Sequence, residues 1–156
     1  MDEAQIQARA GEIIAEFAQI NDSVALYRHL ISAGDTLSVV DDTLRCEDNR
    51  VPGCEYGMWI RARYDRRANR LWFEVDSDAR ITLGMVALIL RVLNGQPPEV
   101  VVEADLGFLN DIGLRTHLSV RRRTGLDGMI HRIRRSAREV MDEADNLSAT
   151  DERETR

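Results

Sequence analysis

With 156 residues, the chain is long enough for one domain with a hydrophobic core and too short for two comfortable ones. Its 27 Asp and Glu residues against 21 cationic residues give a net charge of -6, which argues against a general nucleic-acid or anionic-membrane binder, because those partners favour clustered positive charge. The start of the chain lacks the basic and apolar segments of a signal peptide, and two cysteines are too few for a secreted disulfide framework. The sequence therefore predicts a cytoplasmic protein with free thiols.

The first third of the chain predicts two helices and an irregular connection. Apolar residues recur at helical spacing over residues 2–19 and again over residues 22–34, where Gly34 is expected to end the helix in a left-handed conformation. Residues 35–48 lose this periodicity and are rich in acidic side chains, which is typical of a solvated connection.

The middle of the chain predicts a β-hairpin. Apolar and polar residues alternate over residues 58–64 and 71–76, and a polar turn separates the two segments. On the outer face, Arg61 or Arg63 is expected to pair with Glu74.

A helix capped by Ser77 or Asp78 and apolar on nearly all sides follows, so we expect it to be central and buried, with Gly84 permitting close approach of another element. Shorter helices are predicted from residue 98 to 102 and from 106 to 112, and a final amphipathic helix from 126 to 140. In this prediction residues 1–141 form a single domain, and residues 142–156 form a polar, disordered tail.

Cys54 is the main candidate for chemistry. Pro52 and Gly53 precede it and favour a tight turn that would lift the thiol away from regular structure. A free cysteine is more often a small buried hydrophobe, whereas carrier or catalytic use requires access and a neighbour that stabilises the thiolate, such as Arg50. A sequence does not show whether His29, His117 or His131 approaches this cysteine.

Metal binding has weaker support. Cys46 and Cys54 are eight residues apart, no Cys-x-x-Cys occurs, and a zinc site would need distant ligands. The paired carboxylates of Asp76 and Asp78 are sufficiently explained by helix capping. No metal or cofactor is predicted.

Three consecutive cations, Arg121 to Arg123, oppose the expected helix dipole. Two explanations remain open. They lie in a solvated loop before a helix that begins near Thr124, or they form a positive patch for an acidic partner or a sulfur anion.

Several motifs in the same order and spacing resemble those of the SufE-type sulfur acceptors of iron–sulfur cluster assembly. The specific combination is Val-Pro-Gly-Cys at 51–54 with Asp-Ser-Asp-Ala at 76–79. Further matches are Met-Trp-Ile at 58–60, Gly84, His-Leu-Ser at 117–119, Arg122, Gly125 and Met129. The resemblance implies an α+β fold, also seen in iron–sulfur scaffold proteins, in which helices pack on a small antiparallel sheet.

The resemblance also implies a function. Cys54 would accept a persulfide sulfur from a pyridoxal-phosphate-dependent cysteine desulfurase, stimulate that enzyme, and pass the sulfur to an iron–sulfur scaffold. Asp76 and Arg122 match family positions near the cysteine loop and the partner surface, and Gly53 and Arg50 would support the loop. Such a protein is a sulfurtransferase-like carrier rather than a stand-alone enzyme.

Two other functions remain open. The chain could be a non-catalytic binding module or small acidic chaperone on the same fold with an inert Cys54, or, less favoured with only two cysteines, a metal or cluster scaffold. The usual Gln-Ser-Gln after the family cysteine is Glu55-Tyr56-Gly57 here, so the residues around the transfer loop depart from the family pattern.

Overall fold

The computed structural model describes residues 2–154, with side chains through residue 147. The described chain forms helices around one two-stranded antiparallel sheet, which confirms the predicted α+β class. In chain order the α-helices and strands are α1 (Asp2–Phe17), α2 (Ser23–Asp35), β1 (Met58–Asp65), β2 (Arg70–Ser77), α3 (Arg80–Leu93), α4 (Pro98–Glu103), α5 (Phe108–Asp111), α6 (Leu114–His117) and α7 (Val120–Glu154). Two single-turn 3₁₀ helices, Asp42–Leu44 and Glu47–Asn49, lie in the connection before β1. Among the helices within this span, none combines the length and apolar character needed to cross a bilayer.

The hairpin follows the predicted alternation. Strands β1 and β2 pair from Met58 opposite Ser77 to Asp65 opposite Arg70, and their inward side chains are buried. On the outer face both Arg61 and Arg63 donate hydrogen bonds to Glu74, so the predicted pairing is confirmed for both arginines.

Helix α3 is the centre of the core. Ten of its fourteen residues are buried, as its nearly all-round apolar sequence predicts. Helix α2 crosses it at Gly84, where a Cβ atom would overlap the carbonyl oxygen of Leu30. The predicted close approach is therefore present, and it explains a glycine inside a helix.

The predicted role of Gly34 is wrong. Its φ is not positive, and α2 continues to Asp35 before Thr36 donates its backbone N–H to the carbonyl oxygen of Ala33. A Cβ atom at Gly34 would lie 3.0 Å from the backbone nitrogen of Gly84. The residue is small because two helices meet there, not because the chain turns.

Helix α7 is longer at both ends than the sequence predicted. It begins at Val120, so the three arginines 121–123 lie in its first turn rather than in a loop, and the Oγ of Ser119 accepts a hydrogen bond from the Arg122 backbone N–H. It continues to Glu154, where a disordered tail from residue 142 was expected. No Gly or Pro occurs after Gly128, and most residues between Gly128 and Glu154 are tolerated in helices. Residues 155 and 156 of the predicted tail lie outside the described chain.

Candidate functional site

Cys54 lies at the tip of a short loop whose two ends are joined. The backbone N–H of Val51 donates to the carbonyl oxygen of Met58 at 2.9 Å, and Arg50 bridges Trp59 in antiparallel fashion. The residues between, 52–57, leave the sheet, and Gly53 turns the chain with a φ of 82°. This positive φ is the conformation that favours glycine, so the local sequence positions the cysteine as expected.

The Cys54 thiol is half-buried between the loop and α7. A Cβ atom at Gly125 would lie 3.7 Å from its sulfur. A cavity of about 430 Å³ opens beside it, lined by the loop and by the first turns of α7, including Val120 and Thr124. The sulfur therefore packs against α7 on one side and faces the open cavity on the other.

Burial raises the pKa of the Cys54 thiol. The Tyr56 N–H and the charge of Arg50 oppose this effect, whereas the charge of Glu55 reinforces it. Arg50 thus acts in the predicted direction, but desolvation is the larger influence. Burial therefore favours the protonated, less nucleophilic form of the thiol in the resting position.

Two arginines of α7 contact the loop. Arg121 forms an ion pair with Glu55 at 2.7 Å. The guanidinium carbon of Arg122 lies 5.9 Å from the ring centre of Tyr56 and 5.5 Å from that of Tyr27. These contacts connect the first turn of α7 to the two residues that follow Cys54, and a cation over an aromatic face is attractive.

Asp76 does not contact Cys54 through any described bond. Its carboxylate binds the Arg45 side chain at 2.8 Å, and Arg45 also binds Asp78 at 2.7 Å while its guanidinium lies 4.5 Å from the ring centre of Trp59. Arg45 therefore ties the irregular connection before the loop to the end of β2.

The residues that follow Asp76 also hold the end of the loop that leads into β1. The carbonyl oxygen of Gly57 accepts hydrogen bonds from the Ser77 hydroxyl at 2.7 Å and from the Asp78 backbone N–H at 3.0 Å. A Cβ atom at Gly57 would crowd the side chains of Asp78 and Trp59. Asp76 thus belongs to the anchor of the loop, not to the environment of the thiol.

The other candidate ligands lie apart from this cysteine. Cys46 is exposed and accepts a hydrogen bond from the Asn49 side chain. His29 lies against Phe17, and His117 against Ser23. Of the residues with described side chains, no three His, Cys, Asp or Glu residues converge as a metal-binding group.

Comparison with known proteins places this arrangement in a family. The family model described as "SufE: Fe-S metabolism associated domain" matches residues 11–137. The chain belongs to the SufE family. The resemblance noted from the cysteine loop and the Asp-Ser-Asp-Ala motif is thereby confirmed, and the chain belongs to a family associated with iron–sulfur metabolism.

SufE-like relatives occur in bacteria and plants. An uncharacterised SufE-like protein of Rhizobium meliloti is 35% identical over 129 residues, covering 81% of this chain and 92% of that protein. The chloroplastic and mitochondrial SufE-like protein 1 of Arabidopsis thaliana is 30% identical over 146 residues, which is 92% of this chain but 39% of the plant protein. A solution structure of a hypothetical protein from Thermus thermophilus shares the fold, with a TM-score of 0.70 at 18% identity over 86% of this chain and 96% of that one.

Sequence reasoning missed three contributors to the SufE loop. Arg45 lies in a connection taken as merely solvated, although it is an isolated cation among acids. Gly125 looked like part of a family motif, and only the structure reveals its contact with the cysteine. The pairing of Glu55 with Arg121 joins a loop position that departs from the family pattern to one of the three consecutive cations, and an acidic replacement beside the cysteine was a usable signal for a cationic partner.

Proposed function

We propose that this SufE-family protein accepts persulfide sulfur on Cys54 from a pyridoxal-phosphate-dependent cysteine desulfurase and relays it to an iron–sulfur cluster scaffold. The observation that carries the proposal is the loop itself: a cysteine at the tip of a six-residue excursion, with anchored ends, beside an open cavity. The family's association with iron–sulfur metabolism supports the choice of sulfur as cargo.

The transfer step balances with one accessible cysteine. The Cys54 thiol loses its proton, and the thiolate attacks the outer sulfur of the donor persulfide. The donor's S–S bond breaks, a new S–S bond forms on Cys54, and the donor cysteine leaves as a thiolate that takes up a proton. The product is a Cys54 persulfide and a free donor thiol, so emptying the donor allows the desulfurase to turn over again and accounts for stimulation.

The raised pKa of Cys54 fits a carrier that is unreactive at rest. Docking of a desulfurase would draw the loop away from Gly125 and into a more polar site, where the thiolate forms more readily. Arg122 and Arg121, which contact the loop, are the proposed docking residues beside it, and Gly53 supplies the flexible turn. Asp76 and Arg50 support the loop from its anchored side. Because this chemistry requires reduced thiols, the cytoplasm is the proposed compartment.

The raised pKa also favours the competing function, a binding module in which Cys54 is inert. Under that alternative the buried thiol is a packing residue against α7, and docking surfaces alone perform the function.

One experiment separates the two functions. The protein is mixed with its cognate desulfurase and cysteine, and the modified peptides are mapped by mass spectrometry without reductant. We expect added sulfur on Cys54 and faster desulfurase turnover, both lost in Cys54→Ser and kept in the matched Cys46→Ser variant. Absence of sulfur on Cys54, or a Cys54→Ser variant that still stimulates fully, would establish the binding module instead.

A further inference from the structure

A second concave surface lies outside the Cys54 site. It is a groove of about 520 Å³ between α1 on one side and α4, α5 and their connection on the other, and it shares no residue with the cavity beside Cys54. We call it the α1 groove. Its residues on α1, which run from Glu3 to Ile14, span three turns, or about 16 Å at the usual rise per residue.

The floor of the α1 groove is apolar. Ile6 and Phe108 are each 4% exposed, and the partly buried side chains of Ala10, Ile14 and Val100 continue the surface. An apolar strip of this length matches the contact stripe of a helix, which places an apolar side chain on one face every three or four residues.

The rim of the groove carries only negative charge. Five carboxylates line it, and no arginine or histidine is among the described residues that do. These are Glu3, Glu99, Glu103, Asp105 and Asp111. Over the whole chain the ratio of acidic to basic residues is 27 to 21. Negative charge is therefore concentrated at the rim beyond what the average composition would give.

Most of this charge is not used within the protein. Within residues 2–147, Glu3, Glu103 and Asp111 have no described ion pair, while Glu99 accepts a hydrogen bond from Asn69 and Asp105 accepts one from the backbone N–H of Gly107. Glu3, Glu103 and Asp111 are therefore free to meet cations that come from outside.

Gly11 supplies an independent observation. It lies inside α1, exposed on the groove, and a Cβ atom there would meet nothing within 4 Å. Glycine is a poor helix former, and unlike Gly84 this one makes no close contact that would require it. Its missing side chain keeps the middle of the α1 groove open.

We propose that the α1 groove binds a basic amphipathic helix of a partner protein, with apolar side chains on the floor and Lys or Arg side chains at the acidic rim. A second copy of this chain does not supply such a helix, because its most basic helical stretch, residues 131–138, has its apolar residues Ile133 and Ala137 fully buried in the core. The partner bound here is separate from the contact at Cys54, so both sites can be occupied together.

The test uses two synthetic peptides of about 18 residues, or five helical turns. Both have leucines along one face; one has lysines on the remaining faces and the other has glutamates. We expect the lysine peptide to bind, to shift backbone amide resonances of α1, α4 and α5, and to weaken as salt is added. The glutamate peptide should not bind.

Matched variants localise the binding. Gly11→Leu fills the groove and Glu103→Arg reverses rim charge, and each should weaken binding about tenfold or more. Asp142→Arg, a charge reversal exposed on α7, should leave binding unchanged. If Gly11→Leu fails to fold, Glu103→Arg retains the test.

Four results would overturn the proposal. They are equal binding of both peptides, resonance shifts confined to other surfaces, full binding by Glu103→Arg, and a concentration-dependent dimer that Gly11→Leu or Glu103→Arg abolishes. The last result would assign the groove to a second copy of the chain.

Discussion

The α2–α3 crossing and the packing of the Cys54 loop on α7 are both built on glycine, yet they differ in tightness. At Gly84 there is no room for even one more carbon atom, because the Leu30 carbonyl occupies the space. At Gly125 an added Cβ would lie 3.7 Å from the cysteine sulfur, an ordinary contact distance. The first contact is part of the core. The second is one from which the cysteine tip can separate, while the start of the loop stays tightly packed at Gly128, where a Cβ atom would lie 2.9 Å from the Pro52 carbonyl oxygen.

The bonds that hold each region point the same way. The crossing lies in a continuous cluster of buried apolar side chains, whereas Cys54 is only partly buried against that cluster and its neighbour Glu55 forms an exposed ion pair. Regions with few buried contacts open at low free-energy cost. The comparison indicates that the α2–α3 crossing can stay rigid while Cys54 and its neighbours separate from α7.

The largest expected effect comes from adding a methyl group to the crossing. Gly84→Ala should lower the free energy of unfolding by about 3 kcal/mol or more, because the clash is with backbone that cannot rotate away. Urea denaturation measures this loss. Gly125→Ala is the matched control and should leave the free energy of unfolding unchanged or raise it by up to about 1 kcal/mol, since alanine is the better helix former. Equal losses in the two variants would remove the distinction between the regions.

The second prediction concerns the reactivity of Cys54. Because burial raises its pKa, the thiol should react with iodoacetamide several times more slowly at pH 8 in the native protein than in the urea-unfolded chain. The native rate should still be rising at alkaline pH values where the unfolded rate has levelled off. Labelled peptides resolved by mass spectrometry give Cys54 and Cys46 separately. A Cys54 rate equal to that of the unfolded chain would show that the loop is already released at rest.

The third prediction concerns the hairpin, which belongs to the rigid part of the fold. The Arg63 and Arg61 hydrogen bonds lower the pKa of Glu74, so the charged carboxylate stabilises the fold above its unfolded pKa of about 4.3. Glu74→Gln should reduce the free energy of unfolding by about 1 kcal/mol at pH 7. The difference from wild type should shrink as pH falls below the unfolded pKa and through the lower pKa of the native carboxylate. A pH-independent difference would assign the loss to packing instead.

The smallest effect is expected at the exposed ion pair beside the cysteine. Arg121→Ala removes the partner of Glu55 and should speed alkylation of Cys54 by about two- to fivefold, as exposed pairs contribute little. Arg123→Ala, also exposed in the first turn of α7, is the control that should leave the rate unchanged. No acceleration in Arg121→Ala would mean that the aromatic contacts of Arg122 hold the loop by themselves.

Local patterns were enough to predict the hairpin, the buried helix α3 and the turn that carries Cys54. Each depends on periodicity or on the backbone preference of neighbouring residues, which a sequence displays directly. The purpose of Gly84 could also be anticipated, because glycine inside an apolar helix needs a packing reason.

Contacts between distant residues were not predictable in the same way. Asp76 binds Arg45, which lies 31 residues earlier, and no periodicity relates the two positions. The start of α7 was placed too late because three cations at a helix start oppose its dipole, whereas in the fold Arg121 and Arg122 find partners on the cysteine loop. These tertiary contacts offset the unfavourable interaction of the two arginines with the helix dipole.

The pinned ends of the loop also set a length. Only six residues separate the paired Val51 and Met58, and Cys54 is the third of them. With at most about 3.5 Å per residue, the Cα atom of Cys54 can lie no more than roughly 10 Å from that of Val51 while both ends stay fixed. The loop is therefore a short tether, and its span sets the depth to which the sulfur can enter another protein. A donor or recipient cysteine that lies farther below its own protein's surface than the loop can reach would have to move toward that surface. The length of the loop therefore limits which partners can exchange sulfur with Cys54.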